Sequence, residues 1–164
     1  MKKAFTLIEL LVAVAIMAVL STIVMSQFEA ARAKSRDNKR IADVAQLQLA
    51  IQLYFDRCGV YPTSSGTTLN LASVSTNCTG IKPSTFLNAL PVPPQPAIDA
   101  TYSYYAYAVK STLDDYYIGV RLERPNKALD DDIDVVTPTG GWTGATGWGA
   151  TNDNNPYYYM VGSK

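Results

Sequence analysis

Apolar residues run almost without interruption through the first part of the chain. Residues 5–25 are a stretch of 21 positions. As a helix it would span about 31 Å, the thickness of the hydrocarbon core of a bilayer. The polar side chains within the stretch are Thr6, Glu9, Ser21 and Thr22. The length predicts a membrane helix, and Glu9 needs an explanation because a carboxylate in such a segment is rarely kept without a partner.

The next stretch has a different periodicity. Residues 27–57 contain neither Pro nor Gly and are rich in good helix formers. Apolar side chains recur at spacings of three and four, which marks one face of an amphipathic helix. They are Ile41, Val44, Leu47, Ala50 or Ile51, and Tyr54 or Phe55. Gly59 ends the pattern and Pro62 prevents its return. We therefore expect a helical spine over residues 26–57 whose apolar face is covered by the rest of the chain.

Alternation of aromatic and β-branched residues predicts strands in the C-terminal part. The expected strands lie at 102–109, 116–122, 133–136 and 157–161. A turn is expected at 111–115, and polar or Gly-rich composition favours loops at 63–80 and 137–155. The chain is therefore predicted to have an α+β fold. One long N-terminal helix, with a transmembrane half and an amphipathic half, packs on a small antiparallel β-sheet head made by residues 58–164.

The N-terminal residues resemble those of a known family. The string KAFTLIELLVAVAI at residues 3–16 resembles the N-terminus of type IV pilins and type II secretion pseudopilins. The resemblance implies that a short leader is cut off between Ala4 and Phe5 and that the new amine of Phe5 is N-methylated. It also implies that Glu9 pairs with the amine of a neighbouring subunit. The family usually has Gly before the cut, where this chain has Ala4.

Other interpretations of the N-terminal segment remain open. A secretory signal peptide would share the basic start, Lys2 and Lys3, and a plain membrane anchor would let Glu9 reach the headgroups. The basic residues on either side of the span favour the C-terminal side in the cytoplasm. The resemblance implies the opposite orientation, in which residues 1–4 stay inside, residues 5–25 cross the membrane and the head is exported.

Charge is unevenly distributed along the chain. Residues 32–40 carry five basic side chains and one acidic side chain, whereas residues 58–164 carry six basic and nine acidic. One interpretation of the basic group is a solvated helix face. The other is that the oppositely charged stem and head favour stacking of the head of one subunit against the stem of another.

Two cysteines and the absence of histidine limit the possible chemistry. Cys58 and Cys78 flank a polar loop, and in an exported domain they are expected to form a disulfide, which stabilises by roughly 3 kcal/mol. Without histidine, Ser-His-Asp and Cys-His catalysis is impossible, and the chain has no phosphate-binding Gly motif. We therefore expect a protein that is not an enzyme.

Four carboxylates lie close together in the head, namely Asp130, Asp131, Asp132 and Asp134. Such a group suits calcium, whose ligands are oxygens, or acid–base chemistry, but a solvated turn is the interpretation adopted here. The calcium-binding loop motif of G-type pseudopilins is not reproduced in this sequence. We expect no cofactor, with calcium as the alternative. Nucleic acid is not an expected partner either, because the head, although rich in tyrosine, is net acidic.

With the resemblance, these features predict a structural subunit of a type IV pilus or type II secretion filament. Residues 31–62 also resemble the stem of G-type pseudopilins. The implied partners are further copies of the chain, a prepilin peptidase, and an assembly platform with its ATPase. The subunit is expected in the cytoplasmic membrane before assembly and in an extracellular or periplasmic filament afterwards. The alternative is a membrane-anchored surface binding protein that does not polymerise.

Overall fold

The structure is a computed structural model. It describes residues 6–75, 78–94, 105–133, 140–145 and 157–163. The chain divides into two compact units, Met1–Ser35 and Arg36–Lys164. The boundary between them falls within the predicted helical spine.

One α-helix, α1, covers Leu7–Cys58 and includes both of the apolar patterns described above. It ends where Gly59 adopts a left-handed backbone with φ of 70° and donates its N–H to the carbonyl of Phe55 at 2.7 Å. Glycine is favoured at such a position because it has no Cβ to clash with the backbone. The predicted helix end at Gly59 is therefore confirmed.

Within the described residues, six strands form two antiparallel sheets. The strands are β1 (Ser64–Ser65), β2 (Thr68–Leu69), β3 (Ala106–Lys110), β4 (Tyr116–Arg121), β5 (Trp142–Gly144) and β6 (Tyr158–Gly162). β1 and β2 form a small hairpin within residues 63–80, where the sequence predicted a loop. The larger sheet has the order β5-β3-β4-β6. The described connections contain two 3-10 helices, Pro83–Thr85 and Lys127–Asp131. One long helix with small antiparallel sheets is the predicted α+β class.

The centre of the larger sheet follows the predicted alternation. β3 begins at Ala106, inside the strand expected at 102–109, of which positions 102–104 lie outside the described residues. The turn and β4 fall at the expected positions, and the register pairs Val109 with Tyr116 and Ala106 with Gly119. β6 lies on the other side of β4 and pairs Ile118 with Val161, in agreement with the strand expected at the end of the chain.

The core of the second unit lies between α1 and one face of the larger sheet. The buried residues from the helix and the sheet are Val44, Leu47, Ala50, Ile51, Tyr107, Val109, Tyr116 and Ile118. Those from the helix have the spacing of three and four seen in the sequence. Burying each large apolar side chain contributes about 1.5–3 kcal/mol. This contact holds the second half of α1 against the sheet.

One strand of the larger sheet was not predicted. β5 lies in the Gly-rich stretch expected to be a loop, and it pairs with β3 through Lys110–Trp142 and Ala108–Gly144. Gly144 has φ of 108°, and a Cβ there would collide with the carbonyl oxygen of Tyr107. The strand depends on this close approach to a distant segment, so local alternation does not reveal it. Of the strand expected at 133–136, Ile133 is not in a strand and the other positions lie outside the described residues.

Candidate functional site

Glu9 is held by Thr6 at the start of α1. The backbone N–H and the hydroxyl of Thr6 both donate to Oε2 of Glu9, at 2.9 and 2.7 Å, and the N–H of Glu9 donates to the Thr6 hydroxyl at 3.4 Å. This reciprocal arrangement is a capping box, which satisfies donors that the first turn of a helix leaves without partners. The role of Thr6 was not predicted, although the spacing Thr-x-x-Glu is its signal. Ala4 and Phe5 lie outside the described residues.

The first half of α1 exposes its apolar side chains on all sides. From Leu7 to Phe28 the large apolar residues are between 50% and 77% exposed. The helix is long and apolar enough to cross a membrane, with a mean hydropathy of 2.7 in its most apolar window and none of that window buried. A continuous apolar surface of this kind marks contact with a membrane or with other protein. It fits membrane anchoring of the chain.

Three charged residues of α1 bind the segment that follows β4. Arg40 is only 1% exposed, and its Nη1 lies 2.8 Å from Oδ1 of Asp37 and 2.7 Å from Oε1 of Glu123. Arg36 binds the same glutamate through two hydrogen bonds, from Nε at 2.7 Å and from Nη2 at 2.5 Å. A further donor of Arg40, Nη2, reaches the carbonyl of Pro94 at 3.0 Å.

Asp37 completes this ion network, which consists of Arg36, Asp37, Arg40 and Glu123. Asp37 is 1% exposed and accepts the backbone N–H groups of Glu123 and Arg124 at 3.0 and 3.2 Å. Its carboxylate therefore has the cation and the hydrogen bonds that a buried charge requires. Hydrogen bonds from Arg36 and then Arg40 hold the pKa of Glu123 below its ordinary value.

The network corrects the interpretation of the basic residues 32–40 as a solvated face for two of the five, Arg36 and Arg40. Arg32, Lys34 and Lys39 are exposed, as that interpretation predicts. Arg36 is half-buried and Arg40 is buried, and both pair with Glu123 of their own chain. Fewer basic residues of the stem are therefore available to meet the head of another subunit. The pairing has no local signal, because Arg40 and Glu123 are 83 residues apart in sequence.

Several tyrosines of the sheet belong to the core. Tyr107 donates its hydroxyl to the carbonyl of Pro62 at 2.8 Å, and Tyr105 donates to Asp43 Oδ2 at 2.6 Å. Burial raises the pKa of Tyr116 to about 12 and also raises the pKa of Tyr107. These side chains are therefore neutral packing residues, and they do not form a surface for stacking on a nucleic acid.

The two cysteines are bonded to each other. Cys58, the last residue of α1, and Cys78 lie with their Cα atoms 4.9 Å apart and are joined by a disulfide. Both are buried, in a small cluster with Tyr54 and with partly buried residues that include Ile81. The bond ties the polar loop to the end of the helical spine.

The acidic group of the head is only partly described. Asp132 accepts the backbone N–H of Met160 in β6 through Oδ2 at 2.8 Å, so this carboxylate supports the sheet. Asp130 and Asp131 are exposed, and Asp134 lies outside the described residues. In the part of the chain that the structure describes, no three carboxylates or cysteines come together as metal ligands.

The N-terminal segment also matches a family model. Residues 1–25 match the prokaryotic N-terminal methylation motif. No curated protein and no solved structure matches the chain. The matched residues include Thr6, Glu9 and the apolar first turns of α1. The chain thus carries the prepilin signature of type IV pilins and pseudopilins in a fold of the α+β class, with one long helix and small antiparallel sheets.

Proposed function

We propose that the protein is a structural subunit of a helical filament of the type IV pilus or type II secretion kind. The position of Glu9 carries the proposal, because this acid lies in the first turn of an exposed apolar helix, inside the methylation motif. Removal of residues 1–4 makes the amine of Phe5 the positive charge that such an acid needs. The helix holds each subunit in the membrane before assembly and packs in the filament core afterwards.

The capping box leaves room for that amine. Both Thr6 donors reach Oε2 of Glu9, and within the described part of the chain no donor reaches Oε1. An unpaired carboxylate in an apolar environment is costly, whereas one beside a cation is stabilised. Because every copy offers one acid and one amine, the pairing repeats from copy to copy. Such head-to-tail contacts generate an open helical filament when the rotation does not close.

The disulfide supports export of the head. Bonds of this kind persist in oxidising compartments and are rare in the cytosol, so Cys58 and Cys78 favour a head outside the membrane and a leader inside. The proposed partners are a prepilin peptidase, other copies of the chain, and an assembly platform with its ATPase. The proposed role requires neither a catalytic residue nor a cofactor.

Replacing Glu9 by Leu tests the proposal in cells that contain the assembly machinery. The substitution makes the span more apolar, so membrane insertion is expected to be kept, while the amount of sheared filament falls sharply. Glu29→Leu is the matched control, because Glu29 is an exposed acid of the same helix outside the span. Normal filament from the Glu9 variant would contradict the pairing. A wild-type chain that never leaves the membrane would favour an anchored binding protein.

The N-terminus gives a second, independent test. Mass analysis of the mature protein is expected to find methylated Phe5 as the first residue. A mature chain that retains Met1 excludes cleavage, and one that begins beyond Met25 indicates a signal peptide.

A further inference from the structure

An open groove of about 370 Å³ runs along one face of α1 in the first unit. The residues that line it are Ile8, Glu9, Val12, Ala13 and Ile16. Their spacing of three and four places them on one side of the helix. Glu9 is the charged member of this set, and the other four side chains are apolar. The groove therefore presents a carboxylate at one end of an apolar surface.

Ala13 has the smallest side chain of the residues that line this groove. It is half-buried, whereas every other described residue from Thr6 to Met25 is exposed. A small side chain at such a position lets another chain approach the helix closely. A second groove, of about 350 Å³, lies further along the helix and is lined by Val12, Ala15, Ile16, Val19 and Leu20. The second groove has no charged side chain. The first groove, called the Ala13 groove below, has the carboxylate of Glu9.

We infer that the Ala13 groove receives the aromatic ring of Phe5 from the next copy of the chain. The inference rests on the proposed function, because it requires a mature N-terminus at Phe5. The amine and the benzyl group of that residue are attached to the same Cα. An amine that pairs with Glu9 therefore brings its ring to the apolar surface beside the carboxylate.

Charge and shape together select this occupant. A lipid chain would cover the apolar walls but would leave the carboxylate without a cation. A basic side chain would pair with Glu9 but would place no ring on Ala13. The mature N-terminus combines a cation and an aromatic ring in one residue. The ion pair alone fixes a distance, and the seated ring also fixes the direction in which the next copy lies, so Ala13 sets the register between copies.

Two substitutions of alanine by leucine test the inference in the full chain, expressed with its assembly machinery. Ala13→Leu places a larger side chain in the lining of the groove. Ala18→Leu adds the same side chain nine residues after Glu9, on the opposite side of the helix, where Ala18 is exposed. Both changes make the span more apolar, so the amount in the membrane and the N-terminal mass are expected to stay at wild-type values.

Ala13→Leu is expected to lower the amount of sheared filament about tenfold, because overpacking of a close contact is costly. Ala18→Leu is expected to remain within about twofold of wild type, because Ala18 does not line the groove and its substitution leaves the seat of the ring unchanged. Equal amounts from the two variants, whether both are high or both are low, would overturn the inference. The outcome is decided by the difference between the variants, so it does not depend on the absolute yield.

A double substitution identifies the ring as the occupant. Phe5→Ala removes the ring. The N-terminal mass of this variant is measured to verify that residues 1–4 have been removed. If the ring occupies the groove, Ala13→Leu has little further effect in a chain that already carries Phe5→Ala. Losses that multiply independently overturn the assignment of the ring. Failure of the inference is distinguishable from failure of the proposed function: filament that survives Ala13→Leu but is lost in Glu9→Leu contradicts the groove alone, whereas filament that survives Glu9→Leu contradicts the pairing itself.

Discussion

The two halves of α1 share one secondary structure and have opposite surroundings. In the first half, the large apolar side chains are at least half exposed, whereas in the second half Val44, Leu47, Ile51 and Tyr54 are at most 1% exposed. The first half is apolar on all sides, and the second is apolar on one face. The second half has its partner, the sheet, in the same chain. The first half requires a partner outside the chain.

This difference predicts where a change in the helix takes effect. Changes in the second half are expected to alter the free energy of unfolding of the head and to leave membrane insertion intact. Changes in the first half are expected to alter assembly and to leave the head as stable as before. Each experiment below challenges this separation or measures it more closely.

The largest effect is expected from the ion network. Arg40→Ala leaves the buried carboxylate of Asp37 without its cation and is expected to lower the free energy of unfolding by about 3–5 kcal/mol. The measurement is denaturant unfolding of a soluble version that begins at residue 29. Arg32→Ala is the control, because Arg32 is exposed on the same helix. A similar small loss in both variants would mean that the network does not hold the helix to the head.

Loss of the disulfide is expected to have the next largest effect. Cys58 and Cys78 are 20 residues apart in sequence, and opening a loop of that length costs roughly 3 kcal/mol of stability on the chain-entropy estimate. Reduction is expected to lower the melting temperature of the wild-type soluble version and to have no effect on the Cys58→Ser, Cys78→Ser variant. Free thiols in protein taken from the cell surface would argue against the bond and against an exported head.

The capping box allows a smaller test in the first half of the helix. Thr6→Ala removes the hydroxyl that binds Glu9 and is expected to destabilise the helix start by about 1 kcal/mol, whereas Thr6→Ser keeps the cap. The amount of sheared filament is expected to fall for the alanine variant and to be rescued by serine. Thr22→Ala is a control, because the Thr22 hydroxyl binds the carbonyl of Val19 within the helix. A change in the melting temperature of the head caused by Thr6→Ala would contradict the expectation that changes in the first half of α1 leave the head as stable as before.

The smallest effect on the free energy of unfolding is expected from lowering the pH. The pKa of Glu123 is lowered in the folded state, chiefly by the hydrogen bonds from Arg36. Its stabilisation is therefore present above the ordinary carboxyl pKa and is lost as the pH falls through the lowered value. The free energy of unfolding of the soluble version is expected to fall with pH in the wild type, and to fall less in Glu123→Gln. Identical pH profiles would mean that Glu123 does not contribute to the pH dependence of stability.

The fold was predictable where the pattern is local. The membrane-length run, the buried face at Val44, Leu47 and Ile51, and the end at Gly59 follow from periodicity and from backbone sterics, and the structure has each of them. β5 was missed because Gly144 is placed by contact with the backbone of Tyr107, and a short Gly-rich segment shows no alternation. In the candidate site, Glu9 was conspicuous from the sequence, while its partner Thr6 was overlooked despite a recognisable spacing.

The sequence by itself determined the long helix, its change from all-round to one-sided apolarity, and the acid at its start, because these depend on residues a few positions apart. Only the tertiary structure decided that Arg36 and Arg40 neutralise Glu123 inside the chain. It also decided that the helix rests on Tyr107 and Tyr116. Such contacts join residues that are distant along the chain. Charge and apolar character state only that a side chain needs a partner, and packing selects which residue meets that need.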